Sequence, residues 1–238
     1  NAPGPDACTA ELYDPATETW ETVSSPQNCG TLMTLHSGKV LNVSKGLVEL
    51  YDPDLGTWIS TGQPNVIRST STVILLANGK VLLTGSTSGD SSAFAAELYD
   101  PNIETWSITG SPKIVGGSAT RLSDGRVLNV IAGGYDASQP NAAQLYDPDT
   151  GTWSAASPLK VAPRDFHTAT LLADGTVLVT GGIDFDFSQV PLFHNTAELY
   201  GPIKILTITG AFAEGKRLFV SGDEFKIGSV ILLNGEEQ

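Results

Sequence analysis

One long connector, at about residues 183–195, holds the side chains that could most readily do chemistry or bind a ligand. It places Asp184-Phe185-Asp186-Phe187 ahead of Pro191-Leu192-Phe193-His194. Paired carboxylates can serve glycoside hydrolysis or bind calcium, but side chains that alternate along a chain need not converge, so solvated acids are the simpler interpretation. Exposed aromatic rings beside acids can stack on sugar rings or anchor a protein partner, or the rings can fold inward and cap the core.

Groups for metal or redox chemistry are few. The chain has three histidines, of which His36 lies at a predicted hairpin turn and His167 immediately precedes a predicted strand. A metal site would require ligands that converge from separate loops. The sequence also lacks a glycine-rich phosphate loop, zinc-ligand spacing and a nucleophile elbow. We therefore predict no metal and no cofactor, and we assign no catalytic residue.

The two cysteines, Cys8 and Cys29, flank a predicted hairpin on both sides. If Tyr13 lies opposite Trp20 in that hairpin, the two sulfurs approach each other at its open end. We therefore predict a disulfide between Cys8 and Cys29, which would imply an oxidising compartment, and we expect a secreted or cell-envelope protein. Two buried thiols in a cytosolic protein are the alternative.

A repeated element must position these residues. A phrase of the form Glu/Gln-Leu-Tyr-Asp/Gly-Pro occurs five times, at residues 11–15, 49–53, 97–101, 144–148 and 198–202, and its tyrosines are 38 to 54 residues apart. A tryptophan follows the first four tyrosines at a spacing of seven residues. A period of this length predicts a repeat architecture and suits one four-stranded blade of a β-propeller.

Each repeat also contains a predicted inner hairpin. Asn78-Gly79, Asp124-Gly125 and Asp174-Gly175 each separate two apolar runs, which is a strong hairpin signal and favours type I′ turns. Glycine pairs follow two of these hairpins, at Gly133-Gly134 and Gly181-Gly182. Glycine there would permit a left-handed exit or a close backbone approach.

The hairpin, the double glycine, and the tyrosine and tryptophan at fixed separation together resemble the kelch repeat, over about residues 9–207. The resemblance implies an all-β fold, a kelch-type β-propeller of about five four-stranded blades. Kelch propellers mostly bind proteins or carbohydrates, and a minority are enzymes, among them the copper-containing galactose oxidases. Because one scaffold carries both, function has to be argued from the loops.

Two enzyme classes found on propellers fit this sequence poorly. A galactose-oxidase-like copper site takes two tyrosines, two histidines and a cysteine cross-linked to one tyrosine, whereas here both cysteines flank one hairpin. A sialidase-like site needs an arginine cluster. Arg68 and Arg164 could share a rim, but Arg121 and Arg126 belong to a hairpin predicted on the opposite face. A carbohydrate-active enzyme, oxidase or glycosidase-like, is therefore the alternative to the non-catalytic binding or scaffold module that we favour.

The ligand-binding residues are predicted on one rim of the propeller. In an antiparallel four-stranded blade, the connector between the second and third strands opens on the same face as the linkers between blades, and such loops commonly carry function. We expect this rim to bind a protein or a glycan. The candidate residues are Arg68, Tyr135, Asp136, Arg164, Asp184, Phe185, Asp186, Phe193 and His194.

The C-terminal segment has two interpretations. Residues 213–222 align with the inner hairpin at 173–182 and could supply the inner strands that the first repeat lacks, closing the ring and hiding its sheet edges. Residues 218–235 instead resemble the start of an IPT/TIG domain, an immunoglobulin-like sandwich that often follows bacterial kelch propellers. We predict a propeller at residues 1–207 and a β segment at 208–238, which could also pair with another chain and make the protein a structural subunit.

The charge and hydrophobicity of the sequence argue against two classes of partner, nucleic acids and membranes. The formal net charge of −13 argues against nucleic acid, whose recognition requires a basic stripe. The sequence contains no apolar run long enough to span a bilayer, so we expect no membrane insertion.

Overall fold

The predicted all-β class is confirmed. All regular structure in the described residues is β-strand, and the chain divides into two compact units, residues 1–200 and 201–238. Within the described part of the chain, no helix is long and apolar enough to cross a membrane. The computed structural model describes residues 8–44, 46–68, 72–85, 96–113, 117–130, 143–160, 166–185, 191–201, 208–214, 217–222, 232–233 and 236–237.

The first unit begins with a hairpin and continues with sheets of antiparallel strands, each of which corresponds to one repeat. The hairpin comprises β1 (Ala10–Asp14) and β2 (Thr19–Val23). The first blade comprises β3 (Thr31–Thr34), β4 (Val40–Ser44), β5 (Leu47–Asp52) and β6 (Thr57–Ser60). The second comprises β7 (Thr72–Leu75), β8 (Val81–Thr84), β9 (Glu97–Asp100) and β10 (Thr105–Ile108). The third comprises β11 (Ser118–Arg121), β12 (Val127–Val130), β13 (Ala143–Asp147) and β14 (Thr152–Ala156).

The fourth blade shows three strands within the described residues, β15 (Thr168–Leu171), β16 (Val177–Thr180) and β19 (Ala197–Tyr200). Its long connector contains a small two-stranded sheet of its own, β17 (Ile183–Phe185) and β18 (Pro191–Phe193). The sequence analysis treated this connector as a loop. The four sheets, in series and each with a meander topology, give the blade-based propeller architecture expected from the repeats.

The inner hairpins form where predicted, but their turns are not type I′. Gly79 lies in the left-handed region with φ of 83°, while Asn78 does not. Leu76 N–H donates to the carbonyl of Lys80, and the Asn78 side-chain oxygen accepts the N–H of Lys80 at 3.1 Å. The side chain thus stabilises right-handed backbone at Asn78, so that only the glycine needs positive φ. The turns at Asp124-Gly125 and Asp174-Gly175 share this arrangement.

The hydrophobic cores lie between neighbouring blades, because adjacent residues of a strand point to opposite faces of its sheet. In the second blade, Leu83 belongs to a core that includes Leu41 of the first blade. The adjacent Leu82 belongs to a core that includes Val127 of the third blade. A further core joins the third and fourth blades. Both faces of β8 and of β12 are therefore buried, which accounts for the mostly apolar composition of these second strands.

The tryptophan of each complete blade is tied to the preceding sheet. Each indole stacks on the tyrosine of its own repeat, with ring centroids 5.0–5.2 Å apart. In the three complete blades, the indole N–H also donates to a backbone carbonyl that follows the outer strand of the preceding sheet. The pairs are Trp58 to Ser24 (2.8 Å), Trp106 to Gly62 (2.7 Å) and Trp153 to Gly110 (2.9 Å).

The tyrosine hydroxyls make a second tie between blades. Tyr99 hydrogen-bonds with the hydroxyl of Thr61 at 2.6 Å, and Tyr146 with that of Thr109 at 2.8 Å. The blades approach closely beside these contacts. At Gly62 the backbone is so near the carbonyl of Glu104 that a Cβ atom would collide with it. We refer to the paired tryptophan and tyrosine contacts as the interblade tie.

The predicted disulfide between Cys8 and Cys29 is confirmed, with Cα atoms 5.4 Å apart. Tyr13 lies opposite Trp20 in the register of β1 and β2, as assumed in that prediction. Cys8 precedes β1 and Cys29 precedes β3, so the bond fastens the N-terminal hairpin to the start of the first blade.

The second unit contains a hairpin of β20 (Ile208–Glu214) and β21 (Arg217–Gly222), with a register shift between Ile208 and Gly210. Two short strands follow it, β22 (Leu232–Leu233) and β23 (Glu236–Glu237). Both interpretations of this segment, ring closure and a partial IPT/TIG domain, stay predictions.

Candidate ligand-binding site

One end of the blades, here called the rim, collects the linkers between blades and the connectors between second and third strands. Its described linkers are residues 24–30, 61–68, 109–113, 157–160 and 166–167, and its longest described connector is 181–185 with 191–196. The opposite end, here called the base, carries the inner hairpin turns and the Asp-Pro turns. This polarity follows from strand alternation within each meander.

The first residue of the repeated phrase fastens the rim linkers, a role that the sequence analysis missed. Its side chain accepts a hydrogen bond from a linker backbone N–H in four repeats: Gln27 to Glu49 (3.0 Å), Asn65 to Glu97 (2.7 Å), Lys113 to Gln144 (2.8 Å) and Lys160 to Glu198 (2.6 Å). The signal available in the sequence was a glutamate or glutamine on a strand whose neighbours are apolar. Such a side chain has to find a partner when it is buried.

Arg68 lies in a rim linker as predicted, but its side chain does not face solvent. The residue is 2% exposed, and its guanidinium forms an ion pair with Glu97 at 2.7 Å. Burial by itself would raise the pKa of Glu97, but hydrogen bonds from Arg68 and Asn65 outweigh burial and hold that pKa below its ordinary value. Arg68 therefore orders its linker and is not an exposed ligand contact.

Phe193 and His194 occupy the long connector at the fourth blade. Phe193 pairs with Ile183 in the β17–β18 sheet, and its side chain is 71% exposed. His194 is half-buried, and its backbone N–H donates to the carbonyl of Gly182 at 2.9 Å. The Phe193 ring is thus held in the β17–β18 hairpin and faces water, rather than capping the core.

The remaining predicted site residues are only partly placed. The backbones of Asp184 and Phe185 lie in β17, but their side chains fall outside the described part of the structure. Tyr135, Asp136, Arg164 and Asp186 lie outside the described residues altogether. Their assignment to the site stays a prediction.

Phe166 is a second exposed rim aromatic, and the sequence analysis did not identify it. The residue is 82% exposed and has a φ of 58°, in the left-handed region. The next residue, His167, is buried, and its Nε2 hydrogen-bonds with the hydroxyl of Ser118 in the third blade at 2.7 Å. The available signal was the corresponding segment of the third blade, Gly116-Gly117, which replaces the phenylalanine and histidine by glycines.

The register places the two exposed phenylalanines beyond the same end of the fourth-blade sheet, Phe166 in the linker that precedes it and Phe193 in the β17–β18 sheet that extends from it. Thr168 pairs with Thr180, Phe166 precedes that pair on one strand, and Gly181-Gly182 follow it on the other. The carbonyl of Gly182 accepts the N–H of the residue after Phe193. We call this group of residues, together with the two threonines, the blade-four end.

The double glycine gives the blade-four end an open backbone. Gly181 and Gly182 have φ of 68° and 102°, and a Cβ at Gly181 would meet no atom within 4 Å. Beside them, the hydroxyls of Thr168 and Thr180 lie 3.0 Å apart. The two exposed phenylalanines, the two glycines and the two threonines thus lie on adjoining segments at this end of the blade.

A cavity of about 340 Å³ lies at the base, away from these residues. Asp124, Arg126, Asp147 and Asp149 contribute to its lining. Arg126 pairs with Asp124 at 2.7 Å, and this contact lowers the pKa of Asp124. The cavity's one arginine is therefore already engaged with a carboxylate of the same turn.

Comparison with known proteins identifies the fold but no family. Neither a protein-family model nor a curated protein matches the chain. A solved structure, titled "Structure of YjhT", matches 76% of this chain and 72% of its own, with a TM-score of 0.56 and 15% sequence identity. At that identity the likeness concerns the fold alone and supports the propeller architecture.

Proposed function

We propose that this protein is a non-catalytic binding or scaffold module, a kelch-type propeller that recognises a protein or a glycan through its rim. The observation that carries the proposal is the exposure of Phe166 and Phe193 at the blade-four end. Tyrosines of the repeat, such as Tyr99 and Tyr146, are fully buried between blades, so aromatic rings in this fold have a place inside it. The two phenylalanines lie elsewhere.

The two exposed phenylalanine rings can both contribute free energy to binding a ligand. A single exposed apolar side chain is ordinary on a protein surface. Two phenylalanine rings at one end of one sheet present a larger apolar area, and covering an aromatic side chain contributes about 1.5–3 kcal/mol. A ligand that contacts both rings gains from each of them.

The disulfide supports a secreted or cell-envelope location, since such bonds persist in oxidising compartments. The net charge of −13 favours ligands that are not anionic and disfavours nucleic acid. We propose no membrane insertion for this module.

The test is a binding comparison among three proteins. The wild type, a Phe166→Ala/Phe193→Ala variant and a control Leu55→Ala/Ile103→Ala variant are immobilised and exposed to a glycan array and to a panel of purified cell-surface proteins. Leu55 and Ile103 lie in turns at the base and are 69% and 67% exposed, so the control removes a similar amount of exposed apolar surface. We expect the rim variant to lose a ligand that the other two retain.

The same three proteins also distinguish binding from the two alternatives, a carbohydrate-active enzyme and a self-assembling structural subunit. A carbohydrate-active enzyme would release labelled product from the array glycans, and a structural subunit assembling through its C-terminal strands would show a concentration-dependent mass by light scattering. A ligand held equally by all three proteins, or turnover without stable binding, would contradict the proposed function.

A further inference from the structure

The backbone at Phe166 carries two costs that the fold does not offset. A φ of 58° is unfavourable for a side chain with a Cβ, and a ring that is 82% exposed gains little from burial. Glycine would remove both costs. Residues held in such conformations concentrate at ligand-binding sites, where the strain positions a side chain.

The two residues that follow Phe166 are held by the third and fourth blades. His167 is buried and bonded to Ser118 of the third blade, and Thr168 already pairs with Thr180 in the fourth. The residues that follow Phe166 are therefore anchored in two blades. The ring is presented to solvent next to an ordered strand, which lowers the entropic cost of binding against it.

The surroundings of Phe166 suit one chemical class of ligand. The apolar face of a sugar ring packs flat against an aromatic face, and glycine, which has no side chain, lets a flat ring approach closely. The Thr168 and Thr180 hydroxyls can each donate and accept, as the hydroxyls of a sugar require. Hot spots of protein–protein interfaces are instead enriched in tryptophan, tyrosine and arginine and lie in closely packed pockets. Gly181 and Gly182 do not form such a pocket.

We propose that the blade-four end is a subsite for an uncharged glycan, in which Phe166 and Phe193 stack on sugar rings and Thr168 and Thr180 bond to sugar hydroxyls. This proposal rests on the proposed function and names the ligand class of the same rim. The net charge of −13 further favours neutral over acidic sugars.

The test uses calorimetric titration of the full chain with defined hexasaccharides. The neutral probes are cellohexaose, chitohexaose, mannohexaose and xylohexaose, and the anionic comparator is hexagalacturonate. We expect at least one neutral probe to bind with a Kd at least tenfold below that of the comparator. Phe193→Ala and Phe166→Gly should each raise that Kd at least tenfold.

Phe166→Gly has a second readout that separates lost binding from lost folding. Because glycine accepts positive φ, we expect the variant's Tm to rise by about 2–4 °C while binding falls. Glu18→Gly is the matched control, since Glu18 also has a φ of 55° but lies in the turn of the N-terminal hairpin. It should raise the Tm and leave the Kd unchanged.

The proposal is overturned if no neutral hexasaccharide binds more tightly than hexagalacturonate, or if both phenylalanine variants keep Kd values within twofold of the wild type. If the rim variant instead loses a protein ligand, the proposed binding function is supported and the glycan proposal is wrong. The absence of any ligand for the wild type would remove both.

Discussion

At the scale of single residues, the rim is organised by buried carboxylates and amides rather than by exposed charges. The Glu97 carboxylate accepts hydrogen bonds from the backbone of Asn65 and Val66, from the Asn65 side chain and from Arg68. Four bonds satisfy the lone pairs of one carboxylate and fix the linker's conformation. The geometry of the rim is thus set from beneath its surface.

Replacing Glu97 by glutamine should destabilise the fold strongly, because the buried Arg68 loses its counter-charge. Removing one partner of a buried ion pair costs about 3–5 kcal/mol. Urea unfolding would measure the change. Glu49→Gln is the matched control: Glu49 is equally buried in the first blade, and within the described residues it has no ion-pair partner. A loss below about 1 kcal/mol is expected there, and equal losses in the two variants would contradict this account.

The lowered pKa of Glu97 also predicts an acid dependence. A carboxylate whose pKa is lower in the folded than in the unfolded state contributes stability above its unfolded pKa, and that contribution is lost as the pH falls through the folded pKa. The wild type should therefore lose stability progressively below about pH 4.3, the ordinary glutamate value. Glu97→Gln should show a shallower decline in urea midpoints over the same range; parallel curves would exclude Glu97 as a contributor.

At the scale of elements, the tyrosine and tryptophan of the second and third blades act between blades. The spacing of seven residues places them opposite each other across a hairpin, as Tyr99 and Trp106 show. Both rings then reach the preceding blade through the interblade tie. A motif that is local in sequence therefore stabilises a contact between segments some 40 residues apart, as in the 44-residue separation between Trp106 and Gly62.

Trp106→Phe should cost about 1–2 kcal/mol, because the variant leaves the Gly62 carbonyl without its donor and removes part of a packed ring. Trp20→Phe is the comparison. Trp20 belongs to the N-terminal hairpin and is 66% exposed, so its replacement should cost under about 0.5 kcal/mol. Thermal unfolding followed by circular dichroism would distinguish them, and a larger loss for Trp20→Phe would show that its exposed ring is covered in solution.

At the scale of the whole molecule, stability comes from a series of cores that are each shared by two neighbouring blades. The N-terminal hairpin lacks a described inner pair of strands, and it is held to the first blade by the disulfide, by Trp58 donating to Ser24 and by Ser24 donating to Gly56. Covalent attachment matters most for such an element, since its own sheet has only two strands.

Reduction of the disulfide should lower the stability of the fold. The bond closes a loop with a sequence separation of 21, for which the chain-entropy model gives about 3 kcal/mol. We expect dithiothreitol to lower the Tm of the wild type. A Cys8→Ser/Cys29→Ser variant should already have the lower value and should not respond to the reductant. An unchanged wild-type Tm would mean that the hairpin unfolds independently of the blades.

The amino-acid sequence alone was sufficient for the strand periodicity, the hairpins, the repeat length and the pairing of the two cysteines, because each depends on short spacings and on local backbone preferences. The turn type was not predicted, since the Asn78 side chain stabilises, by a hydrogen bond within the turn itself, a backbone that the dipeptide alone did not specify. Tertiary structure decided the burial of Arg68 and the exposure of Phe166. Burial and exposure depend on which segments meet across blades. In the sequence, Arg68 cannot be distinguished from an exposed charged residue in a linker, because its contact with Glu97 forms only in the fold.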